Sequence, residues 1–483
     1  MKPVITTASL LLIFLFLSIP SYCDSGENKA ETAVPLIMPP HDKGNEIVAK
    51  LKYRPGSMLA FDSRNRPYMF NAEHEETMGH ILTLRKGSWV KLSYLNELKK
   101  TFPGFKGFTL DPEASSAKGK VGKVSHLIIR NRQSYGSLTI DDTDGLYAVV
   151  YVRDADYKPH KAYSQQRRCV LVYSPDLGRS FQFYSLPSRR AVLEKQMNHN
   201  QMSVPALALL DRIRDYPAKW TYYHRLSLLV PEKKGDRLKI PDNPAVVTEK
   251  CFGMSNHSGA YSWAVTRAGK THLVYTECPE KPNGGNPTYA ATYDRAGNKI
   301  TGRKFLENAH PRNKTDVHST PVITIDSRGY LHVLTGAHNG PFYYRRSKKP
   351  GDALGAWTKT SRAGQGQTYA SLLCDRQDVL QLVYRRQRGT PGALCHRSKP
   401  AAGEKTKWSK CTDLVYPPGK RRGYVIFYHR LFSDRLGAIY ISFTFLEIKR
   451  SDGGNYLRAL LFSGDQGKTW KLATTNTFMK RVK

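Results

Sequence analysis

The sequence predicts an all-β fold: a seven-bladed β-propeller of four-stranded antiparallel blades. Three observations carry this. One hairpin pattern recurs along the chain: an apolar strand, an Asp or other turn residue, a tight corner, then a strand with period-two alternation. Its last four copies begin at positions 266, 325, 374 and 433, roughly 50 to 60 residues apart, which suits one propeller blade each. Turns of the form Ser-x-Asp-x-Gly-x-(Ser/Thr)-(Phe/Trp), known as Asp boxes, follow some of these hairpins.

From the N-terminus, Lys2 precedes an apolar run from Leu10 to Ile19 and then Ser21-Tyr22-Cys23. This reads as a secretory signal over 1–23 with cleavage near Cys23. The run is short for a membrane span. Tyr22 fits poorly before a lipidated cysteine, so lipoprotein anchoring at Cys23 is the second choice. A secreted or periplasmic protein is expected, with a polar lead-in over 24–48 and a single propeller domain over 49–483.

The hairpins follow in order. "FDSRNRPYMFN" starts at Phe61, "IDDTDGLYAVVY" at Ile140, "TRAGKTHLVYTE" at Thr266 and "IDSRGYLHVLTG" at Ile325. "CDRQDVLQLVYR" starts at Cys374 and "SDRLGAIYISFT" at Ser433. The gap between Ile140 and Thr266 holds one more blade, with "SVPALALLDR" and "YYHRLSLLV" as its strands. "RRAVLEKQM" around Leu193 is the best helix candidate. Asp boxes stand at "SPDLGRSF" and "SGDQGKTW", with degenerate copies ending at Trp357 and Trp408. Their Asp can fold back onto turn amides, so Asp176 and Asp465 are expected to be structural.

Export permits disulfides. Cys251 and Cys278 flank one hairpin and are candidates for a pair. Alternatively, Cys374, Cys395, His396 and Cys411 surround a structural zinc; the simpler reading is buried thiols with one or two disulfides, and calcium is the other structural metal considered, its ligands left open. The charge, 75 Lys+Arg against 40 Asp+Glu, is formally +35 and attracts polyanions. In an exported chain without a nucleic-acid-binding module this points to an acidic polysaccharide rather than to nucleic acid. No segment after the signal reads as a membrane span, and a monomer is expected.

Aligning the hairpins on their turns shows which residues begin the inner strands. His318 stands eight before Asp326 and Gln367 eight before Asp375, with Tyr369 just after. The other blades offer Asn256 and His257, and Tyr428 and His429. The returning strands bring His338, Tyr384, Arg385, Tyr275 and Glu277 to the same end. His332, mid-strand, is expected to support packing or the turn.

The stretches "DVHSTPVITIDSRGYLHVLTGAHNGPFYYRRS", "GQTYASLLCDRQDVLQLVYRR" and "SWAVTRAGKTHLVYTE" resemble the BNR-4 repeat family. Within it they look most like the propeller polysaccharide lyases that cut ulvan, a sulfated rhamnose–uronate polymer. The resemblance runs from about Asn256 to Thr444. It implies a lyase working by β-elimination, with His318, His338, Tyr369 and Arg385 as catalytic residues. His318 and Tyr369 would act as base and acid, His338 would orient or help neutralise, and Arg385 would neutralise the uronate carboxylate. Tyr384 and Arg386 are rivals for the tyrosine and arginine roles. Asn256, His257, Gln367, Tyr384, Tyr428 and His429 would bind substrate, and the chemistry needs no cofactor. Ser319 departs from the Asn of many relatives, and the family's zinc ligands do not match His396, Cys395 and Cys411 cleanly. The alternatives are a propeller that binds acidic glycans without cleaving them, or a sialidase-like glycosidase. The second would need an arginine trio or paired carboxylates.

Overall fold

The computed structural model describes residues 36–37, 58–70, 79–108, 137–155, 168–215, 222–252, 254, 262–281, 284–309, 318–336, 340–387, 392–403, 406–416, 426–447 and 455–483. The signal call over 1–23 lies outside them. Among the described residues seven blade sheets follow one another, with a two-stranded hairpin, Glu232–Lys234 with Arg237–Lys239, inserted in the third, so the architecture is all-β and the blade count of seven holds. The blades begin at Met58, Leu138, Ala191, Ala264, Val322, Gln367 and Ile426. Each is an antiparallel meander with consecutive strands paired. Two blades carry an extra strand. Phe105–Phe108 pairs with the far half of the second strand of blade 2. Leu36–Ile37, from the expected lead-in, pairs in parallel with the last strand of blade 6. No helix among the described residues is long and apolar enough to cross a membrane.

The hairpin Asp explains why the repeat folds as it does. Asp62, Asp141, Asp326, Asp375 and Asp434 are all at most 1% exposed. Each accepts the amide four residues on, from Arg66, Gly145, Tyr330, Val379 and Ala438, at 2.8–2.9 Å. Each also meets a polar side chain six residues on: Tyr68, Tyr147, His332, Gln381 or Tyr440. His332 is thus one of five equivalent supports, as its mid-strand place suggests. A carboxylate that satisfies a turn amide in a dry core replaces water the fold has excluded.

Consecutive turns are latched together. Ser63 donates through N and Oγ to Asp144 of the next blade, at 2.7 and 2.6 Å. Ser327 donates likewise to Asp378. Arg435 N donates to Asn65 Oδ1 at 2.7 Å, which joins blade 7 to blade 1. Asn65, Asp144 and Asp378 have φ of 63°, 64° and 57°, the left-handed region that Asn and Asp tolerate. Blade 7 has Gly437 at that place, φ +90°, where a Cβ would sit 3.1 Å from Arg376 Cδ. The C-terminal helix Thr475–Met479 completes the closure, with Phe478 packed on Tyr440, Phe61 and Trp89.

Blade 3 corrects the expected helix near Leu193. Ala191–Leu193 is its inner strand, paired antiparallel with Leu207–Leu209. Glu194 takes the place of the turn Asp: it is fully buried and accepts Ala206 N at 3.2 Å. The helix-forming residues that follow belong to a long turn crossing the channel's end. There Lys195 donates to the Leu431 carbonyl, Gln196 N to Thr139 Oγ1, and Asn198 Nδ2 to the Cys374 carbonyl. Gln201 N reaches the Thr266 carbonyl. This segment plugs the turn end by touching the inner hairpins of blades 2, 4, 6 and 7.

Buried thiols with a disulfide hold as expected, but the two specific cysteine groupings are corrected. Cys395 and Cys411 form a disulfide, whereas Cys251 and Cys278 are not disulfide-bonded. Cys395 and His396 are neighbours on a strand, so they point to opposite faces. His396 faces blade 7, bonded to Gln381 at 2.6 Å and edge-on to Trp470. Cys374 lies elsewhere, at the turn end of blade 6. The proposed Cys374–Cys395–His396–Cys411 metal grouping therefore does not assemble. Both Asp boxes behave as expected: Asp176 accepts Ser180 N and Oγ, and Asp465 accepts Thr469 N and Oγ1, at 2.6–2.9 Å.

Candidate active site

The inner strand of blade 6 is not regular. Its register against the next strand slips between Thr368 and Ser371, and the same slip recurs in blade 7 between Phe427 and Arg430. A bulge of this kind re-aims a side chain. In blade 6 the residue re-aimed is Tyr369, whose φ of 62° puts a bulky residue in the left-handed region. Such a conformation costs about 1–2 kcal/mol and persists only where neighbours hold it.

Two neighbours do so. Arg385 stands opposite Thr368 on the second strand, beside the bulge. It is 2% exposed, and its guanidinium carbon lies 4.9 Å from the centre of the Tyr369 ring. Its Nη1 also donates to the Ile426 carbonyl of blade 7 at 3.4 Å. His429, from the equivalent bulge of blade 7, donates from Nε2 to the Tyr369 carbonyl at 2.5 Å. Burial pushes the pKa of His429 down to about 3, and the charges of Arg385 and Arg430 add to that. The ring is therefore neutral, which fits a donor to a carbonyl. Sequence reasoning counted His429 among substrate contacts; fully buried, it is a support for Tyr369.

His318 completes the cluster from blade 5. It is partly exposed, and its ring centre lies 5.9 Å from that of Tyr369 at a tilt of 50°. The backbone after it is fixed by Thr276 of blade 4, whose Oγ1 donates to the Ser319 carbonyl at 3.2 Å. Ser319 itself buries a hydroxyl with no hydrogen-bond partner among the described residues. An imidazole, a phenol and a guanidinium from adjacent blades thus share one end of the channel. Together they offer proton transfer and anion stabilisation within one space.

Strand alternation separates the rivals from this cluster. Tyr384, next to Arg385, turns the other way and packs edge-on against Phe342 between blades 5 and 6. Arg386 donates to both oxygens of Asp413, at 2.8 and 2.9 Å. With Arg362 and Arg397 these two residues line a separate groove. Gln367 spends its amide on the Phe342 amide and the Ala363 carbonyl, so it links blades instead of presenting a free head group. Tyr428 belongs to the blade 7 inner strand. His338, Asn256 and His257 lie outside the described residues. Glu277 accepts Arg303 and Thr248, each at 2.6 Å, and Glu307 is held by Arg345 at 3.2 Å. Burial pushes the Tyr275 phenol up, and Tyr275 stacks on Tyr289.

Comparison with known proteins adds to this geometry. A family model described as BNR repeat-containing family member matches residues 287–482, which include His318, Tyr369 and Arg385. No curated protein sequence matches the chain. Among solved structures, similar ones include a protein of unknown function from Dyadobacter fermentans, 12% identical, TM-score 0.42, covering 68% of this chain and 93% of that one. An α-L-arabinanase of Penicillium chrysogenum is 14% identical, TM-score 0.37, covering 68% and 92%. An α-L-arabinofuranosidase of Fusarium graminearum is 13% identical, TM-score 0.40, covering 68% and 92%. At these identities and scores no residue role is carried over from them.

Proposed function

We propose that this propeller is a polysaccharide lyase that cleaves an acidic, uronate-containing and sulfated polymer of the ulvan type by β-elimination. The observation that carries the reading is the convergence of His318, Tyr369 and Arg385 on a bulge that a buried histidine props open. Elimination begins with loss of the proton on C5, next to the uronate carboxylate. That step is hard while the carboxylate keeps its charge, because a second negative charge must develop beside the first. The Arg385 guanidinium, whose Nη1 also holds the Ile426 carbonyl, would stabilise both charges. The C5 electron pair then forms the C4–C5 double bond as the C4–O4 bond breaks. O4 departs with a proton from the acid. His318 and Tyr369 supply the base and the acid, and His338 is assigned to orient the substrate or help neutralise it.

Two further features support an acidic polymer. The chain's formal charge of +35 raises the local concentration of a polyanion. The groove lined by Arg362, Arg386 and Arg397 offers guanidinium groups beside Tyr384, where sulfate or carboxylate groups of flanking sugars could lie. Glu277, the carboxylate expected at this end, is held by Arg303 and Thr248, which disfavours it as half of a glycosidase pair.

The test is incubation with ulvan and a panel of other uronate polymers, following absorbance near ~235 nm, where the conjugated product of C5 proton loss absorbs. Product is expected with the wild type and a fall of about 100-fold or more in kcat for His318→Ala and for Tyr369→Phe. Binding without any rise would leave a glycan-binding propeller and sink the lyase reading. Equal product from wild type and both variants would sink the residue assignment.

A further inference from the structure

At the turn end of the channel, three donors of different chemistry meet. His199 Nε2 lies 3.4 Å from Asp378 Oδ1, and Cys374 Sγ lies 3.9 Å from the same oxygen. All three donor atoms fall within 4.8 Å of one another. His199 comes from the plug after blade 3, Cys374 ends the inner strand of blade 6, and Asp378 sits in the turn that follows it. The propeller alone brings these residues together.

We propose that His199, Cys374 and Asp378 form a zinc site that pins the plug to blade 6. Zinc bonds of about 2.0–2.3 Å in a tetrahedron need donor-to-donor edges of about 3.3–3.7 Å. The observed 3.4 and 3.9 Å lie close to that, before any ion draws the donors in. One imidazole, one thiolate and one carboxylate is a donor set zinc accepts, while calcium and magnesium take oxygen. The fourth position falls to a water or to the Asp375 carbonyl, which is 2.8 Å from His199 Nε2.

The surroundings suit a cation. Burial first, and then the negative charges of Asp378, Asp375 and Asp326, hold the Cys374 thiol protonated in the absence of a cation, and those same charges attract one, within a chain whose formal net charge is +35. The residue before the turn carboxylate is Phe61, Ile140, Ile325 and Ser433 in four other blades, so a thiol here is a departure from the repeat. On binding, the thiol gives its proton to solvent, and the neutral imidazole carries its proton on Nδ1, freeing Nε2. Asp378 keeps its bonds to Ser327, since a carboxylate offers about four acceptor sites. The Cys395–Cys411 pair takes no part.

The test uses the full chain with cobalt(II) as a spectroscopic stand-in, read by the near-ultraviolet thiolate-to-cobalt band and by metal analysis after dialysis. One cobalt per chain and a thiolate band are expected for the wild type and for a Cys395→Ser/Cys411→Ser variant. The band should vanish in Cys374→Ala, and affinity should fall by more than about 100-fold in His199→Ala. Circular dichroism of each variant separates loss of ligand from loss of fold, and zinc should raise the Tm of the wild type but not of His199→Ala. A wild type that retains neither metal, or a band that survives Cys374→Ala, overturns the site. So does a band lost only in the Cys395→Ser/Cys411→Ser variant.

Discussion

Replacing His429 by leucine tests how the site is built, because His429 touches no substrate-accessible surface. It is fully buried, and its Nε2 donates to the Tyr369 carbonyl at the bulge. Without that donor the carbonyl is left unpaired in the core, at a cost of about 1–3 kcal/mol. The left-handed conformation of Tyr369 already costs about 1–2 kcal/mol against an ordinary strand. Taking about 2 kcal/mol as the shift, the equilibrium constant for holding the ring over Arg385 falls about 30-fold, and kcat/KM falls by up to that factor. The assay is the initial rate of unsaturated product on the best uronate polymer, run in a double-mutant cycle with Tyr369→Phe. If His429 works only through Tyr369, His429→Leu lowers the rate by up to about 30-fold in the wild-type background and by less than about 3-fold in the Tyr369→Phe background. His429→Gln, which keeps a donor, should recover part of the loss. Equal losses in both backgrounds, or full activity in His429→Leu, would refute the coupling.

Other predictions concern stability and charge. Asp434→Ala removes the carboxylate that accepts Arg481 Nε at 2.5 Å and the Ala438 and Leu436 amides, and so unlatches the closure of blade 7 on the C-terminus. A loss of about 3–5 kcal/mol in urea unfolding is expected, and a loss under about 1 kcal/mol would show that the ring closes by packing alone. Burial pushes the Lys195 amine down to about 7 from its ordinary 10.5, with Arg430 adding to the effect. The unfolded chain then binds more protons between those two values, so stability rises with pH through that window. Lys195→Met should remove the rise and stabilise the protein below pH 7, by at most on the order of 5 kcal/mol. A pH profile unchanged from wild type would mean that the amine is not held in the core. Buried neutral histidines work in the same direction at lower pH. Burial holds His272 and His396 at about 4 against 6.5 in the unfolded chain, so stability should fall as pH drops from 6.5 towards 4. Thermal melts across that range check it, and a flat profile would contradict the assignment. If the surface charge guides substrate, KM should rise steeply with added salt while kcat changes little.

The fold was legible because each blade repeats a local rule: an Asp that satisfies an amide four residues on, followed by an alternating strand. Where that rule is stretched, reading failed. Glu194 does the work of the turn Asp in blade 3, but a long insertion separates it from its amide at Ala206, and the run of Leu, Glu, Lys, Gln and Met there looks helical. Tertiary contacts of the plug overrode that propensity. The candidate site was legible in part: aligning turns brought out His318 and Tyr369, and strand order brought out Arg385. What spacing could not show was the direction of each side chain. Alternation divides Arg385 from Tyr384 and Arg386, and Cys395 from His396, so neighbours in sequence serve different faces. The roles of His429 and Gln367 as props were hidden for the same reason, since only the bulge and the facing blade reveal what their polar atoms meet. The meeting of His199 with Cys374 and Asp378 has no sequence spacing to betray it.

The most direct test of the central claim is the chemical nature of the cut end. Proton NMR of an exhaustive digest of the best uronate polymer distinguishes elimination from hydrolysis without reference to any residue assignment. The account predicts a vinyl proton on C4 of a new non-reducing uronate end. New ends that are all saturated would mean that water is added across the bond and would contradict a lyase.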